Sequence, residues 1–164
     1  MNVPEYLQPF CKIIREKKSE NYYVLGSLYC CENSSFEVSY SGDLHRNIFG
    51  HKYFLAGEKR TILIAKCSKC SREIHIFDDA IDGYNNCIDI GNGQKDSANF
   101  YPLWCNKCHH NKYQIMVSYE YPNFKELENL NIRDKENSFT WITISLRCAE
   151  CYKSYKKIIE FEMG

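Results

Sequence analysis

Three pairs of cysteines separated by two residues, Cys67-Ser-Lys-Cys70, Cys105-Asn-Lys-Cys108 and Cys148-Ala-Glu-Cys151, carry the most visible chemistry in this chain, and an adjacent pair, Cys30-Cys31, adds to them. A Cys-x-x-Cys turn aims two thiolates at one point. Two such turns side by side complete a tetrahedron around a soft divalent ion, with Zn–S bonds of about 2.3 Å. Cys105, Cys108, Cys148 and Cys151 therefore make one expected zinc site, and four thiolates leave it no open position for substrate. Cys67 and Cys70 make a second with Cys30 and Cys31, under one condition: successive strand residues point to opposite faces, so both can reach one ion only where the backbone turns. Cys87 and His75 are the alternatives for one of that pair. His109 and His110 adjoin a knuckle and read as its neighbours rather than as ligands, and Cys11 reads as a small buried hydrophobe. Two Zn2+ ions are expected in all. Iron, alone or as an iron–sulfur cluster, is the chemical rival for the same thiolates.

The ten cysteines of this 164-residue chain could instead form five disulfides in a secreted scaffold. Residues Met1–Glu20 argue otherwise, because Pro4 and Glu5 stand where a signal peptide would be basic and no apolar run follows. No stretch approaches the roughly 18 to 20 apolar residues of a membrane span. The expectation is a cytoplasmic protein, where thiols stay reduced and clustered cysteines bind metal. A redox dithiol fits less well, since it wants one Cys-x-x-Cys at a helix start in a βαβ pattern.

The elements that must position these cysteines read as mainly β, in an α+β arrangement. Leu7, Phe10, Cys11 and Ile14 fall at helical spacing and predict an N-terminal helix over Pro4–Lys18. Alternating or β-branched runs predict strands at Tyr22–Leu28, Phe36–Tyr40, Thr61–Lys66, Glu73–Phe77, Tyr113–Tyr121, Phe139–Arg147 and Tyr155–Phe161. Asn123 could cap one short internal helix, Phe124–Leu130. The polar stretch around Gly91-Asn92-Gly93 divides the chain into an N-terminal helix (1–20), a first unit (21–92) and a second unit (93–164), the two units packing as one body.

The order of parts repeats. Cys30-Cys31 precedes a strand ending Val38-Ser39-Tyr40, then a loop, a strand, the knuckle Cys67–Cys70 and another strand. Cys105–Cys108 precedes a strand containing Val117-Ser118-Tyr119, then a loop, a strand, the knuckle Cys148–Cys151 and a last strand. Thirty-five residues separate Cys31 from Cys67 and thirty-nine separate Cys108 from Cys148. Two copies of one metal-binding hairpin unit are expected.

In these knuckles the chain resembles zinc-ribbon proteins, and it looks like uncharacterised bacterial proteins carrying two such units, with phrases like Cys67-Ser-Lys-Cys70 to Ile76-Phe77-Asp78 and then Asp82-Gly83-Tyr84. The likeness runs from about Gly26 to the C-terminus. It departs at Cys30-Cys31, where the pattern has a residue between the cysteines and a glycine after them. It implies two zinc-ribbon-like units and structural zinc, and carries little about activity.

Formal net charge is zero, so no overall field draws the protein to nucleic acid or membrane. The first functional expectation is a structural-zinc module that binds another protein, as an adaptor or an immunity-type neutralising partner. Asp78, Asp79, Asp82 and Tyr84 are its candidate contact residues, in a segment that otherwise reads as a solvated turn. Nucleic-acid binding is the alternative, through Lys66, Lys69 and Arg72 on phosphates with Tyr53 or Phe54 stacking. Catalysis is not expected. The aspartates lack calcium-loop spacing, no phosphate-cradling or nucleophile motif is present, and His45 and His51 read as surface residues.

Overall fold

The computed structural model describes residues 3–18, 22–54, 60–82, 99–122 and 139–162. Among them eleven strands form, every pairing antiparallel: β1 (Cys11–Lys18), β2 (Tyr22–Leu28), β3 (Phe36–Ser41), β4 (Leu44–Arg46), β5 (Lys52–Phe54), β6 (Ile62–Cys67), β7 (Glu73–Asp78), β8 (Tyr101–Pro102), β9 (Tyr113–Tyr121), β10 (Trp141–Cys148) and β11 (Ser154–Glu162). One helical turn, α1 (Asp79–Asp82), follows β7. The fold is mainly β, as expected, and all seven strands read from alternation are present within two residues of their expected ends. The short helix expected at Phe124–Leu130, with Tyr84 and Cys87, lies outside the described residues.

The N-terminal helix is a correction. Only Gln8–Phe10 make a turn of 3-10 helix, after which the chain extends into β1 along β2. The apolar spacing misleads because the four residues do not share a face: Leu7 and Cys11 are buried, whereas Ile14 is 57% exposed. β1 is an edge strand, and its outward Lys and Arg protect the edge from pairing with other chains while imitating the polar face of a helix.

Five strands run side by side in the order β1-β2-β9-β10-β11, and a three-stranded meander β3-β6-β7 joins β9 through one pairing, Phe36 with Tyr113. Around that pairing the two halves mirror each other. Phe36 lies five residues after Cys31 and pairs on its other side with Cys67; Tyr113 lies five residues after Cys108 and pairs with Cys148. β2, which leads to Cys30, pairs with β9, while β8, which leads to Cys105, pairs with β3. Each half therefore pairs with the strand that leads to the other half's first pair of cysteines. This register places Val38 opposite Ala65 and Ile115 opposite Leu146. The shared phrases Val38-Ser39-Tyr40 and Val117-Ser118-Tyr119 are thus two residues out of equivalence, a shift that keeps the same face because strand side chains repeat every two residues.

The inward faces of both sets of strands fuse into one apolar cluster running from Val3 to Phe161. Phe77 of β7 meets Phe161 of β11 with ring centroids 5.0 Å apart. Within β2, Gly26 is required by close approach: a Cβ there would run into the Sγ of Cys11, buried two residues off the facing position on β1. Gly26→Ala is expected to cost about 1–3 kcal/mol by overpacking, and Gly26→Ala with Cys11→Ala to recover most of it. Urea unfolding of the two variants checks this, a neutral single variant being the contrary result.

Candidate metal centres

Each knuckle is built by the same backbone bonds. The N–H of the residue after the second cysteine donates to the first cysteine's carbonyl, at 2.9 Å for Ser71 to Cys67, 2.9 Å for His109 to Cys105 and 3.1 Å for Tyr152 to Cys148. The first cysteine's own N–H reaches the carbonyl of Arg72, His110 or Lys153, each at 2.9 Å. To close this loop the residue after the second cysteine must be left-handed, and Ser71, His109 and Tyr152 have φ of 60°, 58° and 60°. Glycine would take that conformation without strain; here Ser71, His109 and Tyr152 are held in it by the two backbone bonds that close each knuckle.

Cys30-Cys31 reaches the same result by a different turn. Cys30 and Asn33 exchange backbone hydrogen bonds, both 2.8 Å, around Cys31 and Glu32, whose φ values are 52° and 60°. Two positive φ angles at the centre of a two-residue turn are the mark of a type I′ hairpin turn. The backbone thus turns at the pair, as both side chains' convergence requires.

In the second half Cys105 Sγ lies 3.5 Å from Cys151 Sγ and Cys108 Sγ 3.5 Å from Cys148 Sγ, all four sulfurs falling within 4.8 Å of one another. A tetrahedron with Zn–S bonds of about 2.3 Å has edges of about 3.8 Å, so the four thiols stand nearly where a metal would hold them. They are free thiols, far beyond disulfide bonding distance. In the first half Cys30 Sγ is 3.7 Å from Cys31 Sγ and 3.6 Å from Cys70 Sγ, and these three form a second group. Cys67 Sγ is turned toward the Cys30 carbonyl, 3.7 Å away. His75 stands exposed on β7 opposite Ile64, outside both groups.

Donors favour the thiolate at one sulfur of each centre, Cys105 and Cys67, while burial and the neighbouring thiols push Cys30 the other way. Burial alone would raise the Cys105 thiol, yet the Tyr155 hydroxyl, 3.3 Å away, and the amides of Lys107 and Cys108 bring it down to about 6. Burial opposes Cys67 in the same way, and the amides of Cys70 and Lys69 with the Asn33 side chain bring it to about 6. Tyr155 also accepts from the Asn106 N–H at 2.8 Å. Asn33 holds its loop by donating to the Ser35 carbonyl at 2.6 Å. Lys52, 3% exposed, donates to the Trp104 carbonyl beside Cys105, and its burial lowers the ammonium to about 8. Tyr155, Asn33 and Lys52 carried no signal in the sequence, because Cys105, Cys67 and the Trp104 carbonyl that they meet lie 50, 34 and 52 residues away.

The expected contact residues lie elsewhere. Asp78, Asp79 and Asp82 are 5%, 7% and 4% exposed, so they face the interior rather than solvent. Asp78 holds Arg60 through two bonds of 3.0 and 2.7 Å, and Asp79 accepts from the Thr61 N–H at 2.8 Å. Asp82 accepts from the Tyr6 hydroxyl at 2.6 Å and the Asp78 N–H at 2.9 Å, pinning the N-terminal turn to α1. Lys66, Lys69 and Arg72 are exposed around the first centre, Lys69 donating to the Cys31 carbonyl at 3.2 Å and Arg72 lying over the Phe10 ring. Phe54 is buried, and Tyr53 stacks on the half-buried His45.

Burial raises the Asp82 carboxyl to about 6, overcoming the two hydrogen bonds that lower it. An acid that holds its proton more tightly when folded stabilises the fold fully below its unfolded pKa, and that contribution is lost as pH rises to the folded value. The unfolding free energy of the wild type relative to Asp82→Asn, with zinc in excess, is therefore expected to fall by about 2 kcal/mol between about pH 4 and pH 6. A flat difference in urea titrations would contradict it.

No helix among the described residues is long and apolar enough to cross a membrane. No protein-family model, curated protein or solved structure matches the chain.

Proposed function

We propose that the chain is a non-catalytic binding module of the cytoplasm, in which two closed tetrathiolate zinc sites staple two zinc-ribbon-like units into one rigid β scaffold. The observation that carries this reading is the second centre, where four thiols from a knuckle before β9 and a knuckle between β10 and β11 converge at tetrahedral spacing. Cys30, Cys31, Cys67 and Cys70 hold the first zinc once the Cys67 side chain rotates from the Cys30 carbonyl toward the other sulfurs. A site with four protein thiolates supplies folding energy and offers no water or substrate position. The likeness to bacterial double zinc-ribbon proteins belongs to the same proposal.

Cobalt substitution tests the ligation. Apo-protein refolded with Co2+ is expected to show the intense visible bands of thiolate-bound tetrahedral cobalt, saturating at two equivalents and displaced by Zn2+. Weak octahedral bands would overturn the four-thiolate reading.

With the aspartates turned inward, an acidic contact loop for a protein partner loses its support. A binding role rests instead on the faces that the metal centres leave exposed.

A further inference from the structure

The outer face of the five strands β1-β2-β9-β10-β11 presents none of the clustered cysteines. Across β2, β9, β10 and β11 it forms a groove of about 890 Å³. Cross-strand register defines what it presents, because residues directly opposite one another share a face. One row runs Lys17, Tyr23, Glu120, Trp141, Glu162, and the next runs Arg15, Leu25, Ser118, Thr143, Glu160. A third holds Lys12, Ser27, Met116 and Ser145, whose hydroxyl accepts from the N–H of Lys157 at a bulge in β11. At the knuckle end Arg147 lies over the ring of Tyr152, which is 62% exposed, 5.0 Å from its centroid.

Three chemical features coincide here. Cations line the β1 margin, at Lys12, Arg15 and Lys17, and the knuckle end of the opposite margin, at Arg147, Lys156 and Lys157, the last paired with Glu160 at 2.6 Å. With Lys157 and Glu160 paired, five cations face Glu120 and Glu162 in a chain whose net charge is zero, so the positive excess gathers at the β1 margin and the knuckle end. Aromatic rings stand inside the margins, with Tyr23 and Trp141 two strands apart, about 9.6 Å, and Glu120 between them. Hydroxyls of Ser118, Thr143 and Ser145 fill the floor between the rings and the basic rims.

We infer that this face binds single-stranded RNA. Phosphates meet the basic margins, bases stack on Tyr23, Trp141 and Tyr152, and the Glu120 carboxylate with the floor hydroxyls accepts from base amino groups and 2′-hydroxyls. Sheet faces bearing two or three stacking aromatics read unpaired bases in this way. An acidic peptide would meet the same margins, yet it would place its carboxylates over Glu120 and leave the rings without partners. The inference rests on the zinc-stapled scaffold proposed above and names its partner and its surface.

Fluorescence anisotropy with a labelled 12-nucleotide RNA of mixed sequence tests it, on protein shown by mass spectrometry to carry its full zinc. Expected are tighter binding of the RNA than of the same sequence as DNA or as RNA duplex, and a steep loss of affinity with salt. Trp141→Ala and Tyr23→Ala should each weaken binding by roughly tenfold. Arg15→Glu with Lys156→Glu should weaken it further and flatten the salt dependence, while Lys66→Glu with Arg72→Glu near the first centre should change it little. Absence of binding by the zinc-loaded protein, equal binding of DNA, equal competition by poly-glutamate, or aromatic variants that bind as the wild type would each overturn the inference while leaving the zinc scaffold standing. Loss of zinc from the wild type itself would instead strike the scaffold reading.

Discussion

Cys148→Ser is expected to yield a chain that holds one zinc and no longer unfolds cooperatively. Cys148 is fully buried, its Sγ 3.5 Å from that of Cys108, and it joins β10 to the knuckle that leads into β11. Serine offers a poorer ligand in the same volume, so the substitution removes metal with little direct loss of packing. A structural zinc contributes on the order of 10 kcal/mol to folding, comparable to the whole stability of a domain of this size. Because β10 and β11 contribute Ile144, Ile159 and Phe161 to the common core, the loss spreads beyond the hairpin. Circular dichroism melting with zinc counted by mass spectrometry reads both effects. A variant that melts as the wild type does, with one zinc fewer, would show that packing alone suffices.

The second large effect is an order of release. Cys31 and Cys70 are exposed in the first centre, whereas Cys105 and Cys148 of the second are buried and Cys108 and Cys151 half-buried. Attack by a chelator or an alkylating agent requires access to sulfur or metal. Under limiting chelator the first zinc is expected to leave at least about ten times faster than the second, with iodoacetamide marking Cys30, Cys31, Cys67 and Cys70 before any cysteine of the other set. Peptide mapping by mass spectrometry follows the labels. Simultaneous labelling of both sets would show that the two centres open together.

The cysteine chemistry was legible in the sequence because spacing within a knuckle is local: two residues between thiols suffices to aim them at one ion. The long strands were legible for the same reason, since Tyr113–Tyr121 and Trp141–Cys148 show their buried face at every second residue. What failed depended on distant partners. β1 exposes nearly all its side chains at a sheet edge, so alternation is absent and four apolar residues at helical spacing prevailed. β4, β5 and β8 are three, three and two residues long, too short for any period. Asp78, Asp79 and Asp82 read as a solvated acidic turn, because the groups that accommodate them inside, Tyr6, Arg60 and the Thr61 amide, lie 76, 18 and 18 residues away from their carboxylates. The turn at Cys30-Cys31 departs from the glycine-bearing pattern, and only its backbone bonds to Asn33 show how adjacent cysteines converge.

Native mass spectrometry of the intact chain, purified without added chelator, tests the central claim most directly. The account predicts the mass of the polypeptide with ten reduced cysteines plus two zinc ions, a state that collapses to the apo mass on acidification. A chain carrying fewer than two zinc ions, or one whose cysteines are paired as disulfides, would contradict it.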